Sequence, residues 1–108
     1  MNQILLPDAV VDLRHNEVQF PDVRRCALTR MESALLAYLR DHADRPVSRV
    51  ELLAEVWHLN PGRVQTRTVE MHVATLRKKL GDDSRDPRWL ITVPHQGYRL
   101  LGTSGEQA

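Results

Sequence analysis

Apolar residues change their spacing twice along this chain. From Ile4 to Leu28 they fall in short runs, Ile4 to Leu6, Ala9 to Leu13, Glu17 to Phe20 and Val23 to Leu28, separated by Pro7-Asp8, His15-Asn16 and Pro21-Asp22. Runs of this length between turn-favouring pairs predict a small antiparallel sheet. From Thr29 the period lengthens. Thr29 stands three residues before Glu32, the pattern of a capping box, and Met31, Leu35, Tyr38 and Leu39, with Ala34 beside them, line one face of a helix expected to end near Ala43. Pro46 closes it, and Ser48 with Glu51 repeats the capping pattern to open a short second helix through Trp57, whose apolar face is Leu52, Leu53 and Val56.

Asn60-Pro61-Gly62 interrupts the helical pattern with a turn. In the third helix Val69, Val73, Leu76 and Leu80 recur at i, i+4, i+7 and i+11, which makes one buried stripe. Thr66 is placed to cap this helix, 66–80, and Gly81 to end it. After an acidic interval expected to be solvated, with Asp82, Asp83 and Asp86, the segment from Trp89 to Leu100 reads as a β-hairpin. The closing GTSGEQA, residues 102–108, is polar and is expected to be a disordered tail. A sheet, three helices and a hairpin in that order predict an α+β winged helix-turn-helix: an N-terminal antiparallel sheet, three helices and a C-terminal β-hairpin wing at 90–101 in one domain, 1–101.

Composition sharpens this picture in two places. With 108 residues, 42% of them hydrophobic, the chain can build one modest core and no second catalytic unit. The formal net charge is only +1, but its distribution is uneven: residues 63–80 carry five basic side chains and one acidic, whereas the segments before and after them are weakly acidic. A local basic helix is the electrostatic footprint that phosphate contact requires. The rest of the third helix surface, Arg67, Thr68, Met71, His72, Thr75, Lys78 and Lys79 with Arg77 at the flank, mixes cations, hydroxyls and slim side chains suited to a DNA major groove.

Other chemistry is poorly supported. Cys26 has neither a disulfide nor a zinc-type partner, and the five histidines are scattered without metal-ligand spacing. No phosphate-cradling glycine loop or nucleophile-base grouping appears, so neither an enzyme nor a cofactor is expected. No basic leader or long apolar run is present, which gives the expectation of a cytoplasmic protein without membrane contact.

Several ordered blocks resemble the DNA-binding effector domain of the OmpR/PhoB class of bacterial response regulators. They are Leu28-Thr29-x-x-Glu32, Arg45-Pro46-Val47-Ser48-Arg49-x-x-Leu52-Leu53-x-x-Val56-Trp57, Arg67-Thr68-Val69-Glu70-Met71-His72-Val73, Leu76-Arg77-Lys78-Lys79-Leu80, Ile91-Thr92-Val93 and Gly97-Tyr98-Arg99-Leu100. The resemblance implies double-stranded DNA as partner, with the third helix in the major groove and Thr68, Glu70, Met71 and Thr75 at base edges. It implies sugar-phosphate contacts for Arg49, Trp57, Arg67, His72, Arg77, Thr92 and Tyr98, which set register more than sequence. The wing tip, His95 and Gln96, would lie at the adjacent minor groove. The loop with Asn60 and Arg63 would meet RNA polymerase, and two copies would bind head to tail. Many relatives carry basic residues where this chain has Ala74 and Thr75, and Arg-Gly where it has Pro94-His95. Weaker phosphate attraction per monomer and heavier reliance on paired binding are the expected consequences.

Two other readings stay open at this level. A winged helix can serve protein contact, favoured by an apolar outward face on the third helix, or act as a non-specific architectural DNA binder held by phosphate contacts alone. On the bland side, Trp57 is expected to be largely core, with its indole N–H at the surface, and Tyr98 to serve the core with its ring.

Overall fold

The computed structural model describes residues 3–6, 9–60, 67–82, 85, 87–101 and 103–104. Four strands open the fold: β1 (Gln3–Leu6), β2 (Ala9–Asp12), β3 (Glu17–Gln19) and β4 (Arg25–Ala27). They pair antiparallel with their chain neighbours, and the alternation Ile4, Leu6, Ala9, Val11 and Val18 supplies the buried face. The turn between β2 and β3 places Asn16 at φ 52°, a conformation that asparagine tolerates well. Val23 does not join β4; it sits almost wholly in solvent in the preceding turn.

Helix α1 (Arg30–Asp41) begins with the predicted capping box: Thr29 Oγ1 accepts from the Glu32 N–H at 3.1 Å, and the Thr29 N–H donates to Glu32 Oε1 at 2.8 Å. Its buried face is Leu35, Leu36 and Leu39, whereas Ala34 is exposed and Met31 and Tyr38 are partly covered. The apolar stripe is thus rotated from the expected one toward Leu36. A buried leucine side chain contributes about 1.5–3 kcal/mol where an alanine has little area to hide, so Leu36 sets the rotation.

Helix α2 (Arg49–Glu55) is capped at one arm only. Ser48 Oγ accepts from the Glu51 N–H at 3.0 Å, but the Glu51 carboxylate is turned away to Arg45, at 3.0 and 2.8 Å, and to the Tyr38 hydroxyl, which donates to it at 2.5 Å. A two-pronged guanidinium and a phenol hold the side chain better than a single backbone N–H would. The Arg45 and Tyr38 hydrogen bonds lower the Glu51 carboxyl to about 2, and the same contact pushes the Tyr38 phenol up to about 12. The cluster joins α1, the following loop and α2.

Helix α3 (Arg67–Leu80) buries Val69, Val73, Leu76 and Leu80 as its spacing predicts. The Thr66 cap lies outside the described residues. Gly81 follows at φ +74°, the left-handed position that ends many helices. The wing is β5 (Leu90–Val93) against β6 (Gly97–Leu100), joined by a tight turn in which the Gln96 N–H donates to the Val93 carbonyl at 3.0 Å. The wing is fastened on its other side as well: Val47 and Tyr98 exchange both backbone hydrogen bonds, at 2.8 and 2.9 Å, and Arg99 Nε donates to the Ala43 carbonyl at 2.8 Å.

Part of the segment expected to be a disordered tail forms β7 (Thr103–Ser104) instead, antiparallel to β1, so the sheet runs β4-β3-β2-β1-β7. The reason is that β1 has an open edge whose amides and carbonyls a returning strand can satisfy. Among the described residues no helix is long and apolar enough to cross a membrane.

Candidate nucleic-acid interface

The outward surface of α3 is narrower than its list of polar residues suggests. Arg67, Glu70, Met71, Ala74, Thr75 and Lys78 are exposed, with Met71 60% accessible, whereas Thr68 and His72 are half-buried at the margin. His72 Nδ1 lies 2.8 Å from the Thr68 carbonyl. A carbonyl only accepts, so Nδ1 carries the proton and Nε2 is the atom left for a partner. The His72 ring meets Trp57 edge-on at 5.0 Å, and Trp57 packs partly into the core. The predicted backbone contacts Trp57 and His72 are therefore neighbours.

A second group gathers where α2, α3 and the wing meet. Arg49 lies over the Tyr98 ring with its guanidinium 5.0 Å from the centroid, and Arg77 approaches the same ring at 6.0 Å. Arg77 is buried rather than at the helix flank, because its angular position adjoins Leu76 and Leu80. It donates through Nε to the Leu90 carbonyl at 3.0 Å and through a terminal nitrogen to Thr92 Oγ1 at 2.8 Å. Neither contact supplies negative charge, so among the described residues this buried guanidinium has no carboxylate partner. Such a charge favours an anion brought from outside. Arg49 does have a partner: its Nε is 3.1 Å from Glu70 Oε1, outside hydrogen-bond alignment, which ties the start of α2 to the first turn of α3.

Four predicted contacts, Arg49, Arg77, Thr92 and Tyr98, thus form one cluster, and Arg67, Thr68, Met71, His72 and Thr75 share one helix beside it. His95 and Gln96 are exposed at the wing tip, with His95 at φ 64°. Asn60 is exposed beyond α2, and Arg63 lies outside the described residues.

Two supports of this surface escaped sequence reasoning. Lys79, expected to face outward, donates to Glu32 Oε1 at 2.7 Å, joining the end of α3 to the start of α1. Burial acts most strongly on the Glu32 carboxyl and pushes it up, but the Lys79 ammonium and the Thr29 N–H together bring it below its ordinary value. Asp82, expected in a solvated acidic loop, is buried and accepts from the N–H groups of Arg88 at 2.7 Å, Trp89 at 3.2 Å and Leu90 at 3.1 Å. It aims the chain into β5. Its position directly after the helix-ending Gly81, with an apolar strand soon following, is the only local signal for that role.

Replacing Asp82 with alanine leaves three backbone donors at the base of the wing without that acceptor. A loss of about 2 kcal/mol is expected. Amide exchange should quicken first at Arg88, Trp89 and Leu90; uniform exchange across the chain would contradict a local role.

A three-helix core with a hairpin packed beside the third helix, and two arginines meeting the Tyr98 ring where they join, defines a winged helix-turn-helix domain. The chain belongs to the family described as transcriptional regulatory protein, C terminal, whose model matches residues 24–100. It is 38% identical over 89 residues to the probable transcriptional regulator ycf27 of Guillardia theta, covering 82% of this chain and 35% of that protein. Among solved structures it is similar to the DNA-binding domain of Klebsiella pneumoniae RstA in complex with the RstA box, with 25% identity and a TM-score of 0.77 over 93% of this chain and 97% of that one. It is also similar to the Thermotoga maritima response regulator DrrB, an OmpR/PhoB homologue, with 27% identity and a TM-score of 0.75 over 95% of this chain and 45% of that one. The OmpR/PhoB resemblance is thereby established, and the chain spans about a third of the length of the curated relatives it matches.

Proposed function

We propose that this domain binds double-stranded DNA sequence-specifically to control transcription, as the output unit of a response regulator in the cytoplasm, with no catalytic activity of its own. Helix α3 enters the major groove and the wing reaches the adjacent minor groove. The observation that carries this reading is the buried Arg77, held among the described residues by neutral acceptors alone, beside Arg49, Thr92 and Tyr98 and next to a helix whose exposed face begins with Arg67. Base edges fall to Thr68, Glu70, Met71 and Thr75, and phosphates to Arg49, Trp57, Arg67, His72, Arg77, Thr92 and Tyr98, with His95 and Gln96 at the minor groove.

With Lys79 drawn to Glu32 and Arg49 to Glu70, two cations of the described interface are already paired with carboxylates, which supports head-to-tail pairing on a direct repeat. Selection of bound duplexes from a random pool, at low and near-physiological salt, tests the whole reading. An enriched direct repeat is the expected result; binding without enrichment would favour an architectural role, and no binding a protein-contact role.

Arginine-to-alanine changes at 67 and 77 should each weaken binding to every duplex and reduce the magnitude of the salt slope by about one. A change of base preference in the Arg67 variant, measured by repeating the selection, would contradict a phosphate role. By resemblance, the loop with Asn60 and Arg63 meets RNA polymerase. The double alanine variant should keep its DNA affinity and lose transcriptional activation in a reconstituted assay; activation at the parent level would rule the contact out.

A further inference from the structure

The middle of the α3 face has a chemical polarity that constrains which bases it can read. At 100° per residue, Arg67, Met71, Ala74, Thr75 and Lys78 share the side opposite the buried stripe. The two cations are at its ends, eleven residues apart, or about 16 Å along the axis. Lys78 borders the groove lined by Phe20, Asp22 and Gly81, at the end where α3 meets the β3–β4 turn. Between the two cations the exposed side chains are Glu70, on the flank toward Arg49, and, at the centre of the face, Met71, Ala74 and Thr75.

This central stretch presents no free donor. Thr75 Oγ1 donates its proton to the Met71 carbonyl at 3.1 Å, one helical turn back, so outward it shows lone pairs and a methyl group. Met71 and Ala74 show apolar surface. Glu70, at the margin, adds only acceptor oxygens and is held by Arg49.

Base pairs differ in what they show to such a surface. Guanine turns two acceptors to the major groove, adenine a donor beside an acceptor, cytosine a donor, and thymine a methyl group and an acceptor. Guanine facing this stretch would leave N7 and O6 without donors, and the Thr75 hydroxyl would have to abandon the Met71 carbonyl to serve either.

We infer that the centre of α3 is a reader of A·T pairs, in which Met71 and Ala74 take thymine methyl groups and Thr75 Oγ1 accepts from an adenine amino group. The inference rests on the reading of α3 as the helix that enters the major groove. Specificity at these positions comes from methyl contact and from exclusion of guanine rather than from a bidentate grip.

The test uses the whole chain and the duplex enriched from the random pool. Replacing thymine by uracil at the central α3 positions removes only the 5-methyl group and should weaken binding about three- to fivefold per contacted methyl. The same replacement should cost the Met71→Ala variant much less, since the contact is already gone. Thr75→Arg, at an exposed site where parent-like melting is expected, should change the pair selected under residue 75 to G·C. Guanine-centred selection by the parent chain, or indifference to uracil, overturns the inference while leaving DNA recognition by α3 intact. Failure to bind any duplex overturns the reading of α3 and this inference with it.

Discussion

Alanine at Gly97 should unfold the wing and cost about 3 kcal/mol or more, the largest loss expected from adding a single methyl group. Gly97 begins β6 at φ +124°, a region that side chains rarely enter. A Cβ built there overlaps the Val47 carbonyl and crowds Ser48 Cα, and these are backbone atoms that cannot rotate aside. Relief requires β6 to move off Val47, and the paired bonds between Val47 and Tyr98 break with it. Tyr98 then leaves the place where Arg49 and Arg77 meet its ring. Alanine at Gly81 is the control. There φ is +74°, but the nearest atom is Phe20 Cε1 at 3.8 Å, so only the backbone strain of about 1 kcal/mol is expected. Thermal melts of the two variants compare them directly, and equal losses would mean that the Val47 contact is unimportant.

Methionine at Lys79 should cost about 2–3 kcal/mol, because it removes the counter-charge from a carboxylate buried at the start of α1. For a domain of this size that is a fall of roughly 10 °C or more in the melting temperature. The pH dependence carries a sign that simple packing loss would lack. In the parent chain the Glu32 carboxyl is held below its ordinary value, so its stabilising contribution is present above the ordinary glutamate range and is lost as the pH falls through the lowered value. In the variant, burial is opposed only by the Thr29 contacts, so the carboxyl rises relative to the parent and protonation in mild acid becomes less costly. The gap between parent and variant should be widest near neutrality and should narrow as the pH falls through the ordinary glutamate range. A constant gap from pH 7 to pH 4 would assign Lys79 a packing role only.

Both effects depend on partners far apart in sequence, which explains what the sequence alone could and could not reveal. The caps at Thr29 and Ser48 and the stripe from Val69 to Leu80 are local patterns, set within one or two helical turns, and they locate the helices closely. The exposure of Met71 and Thr75 follows from the same wheel. Long-range choices of partner leave no such trace. Glu32 was legible as a cap, but nothing near it announces a lysine 47 residues later. The second capping pattern was legible too, yet Arg45 and Tyr38 compete for Glu51 across the α1–α2 junction. Charge counting located the basic helix but could not say that two of its cations, Arg77 and Lys79, are occupied inside the fold. Asp82 looked like surface because acidic loops usually are; here three amides converge on it.

The pairing of β7 with β1 brings the two ends of the described fold to one place. Ile4 and Ser104 are register partners, about 5 Å apart across an antiparallel ladder. A domain whose ends adjoin can be inserted into a loop of a host protein, or closed by a short linker and reopened at another turn, without stretching its core. The turn at Asn16 is a natural new opening, since it lies on the sheet and outside the surface assigned to DNA. Cargo attached at either end leaves from the same edge of that sheet, so the architecture suits a module that hangs from a single point while its helix and wing remain free to engage a duplex.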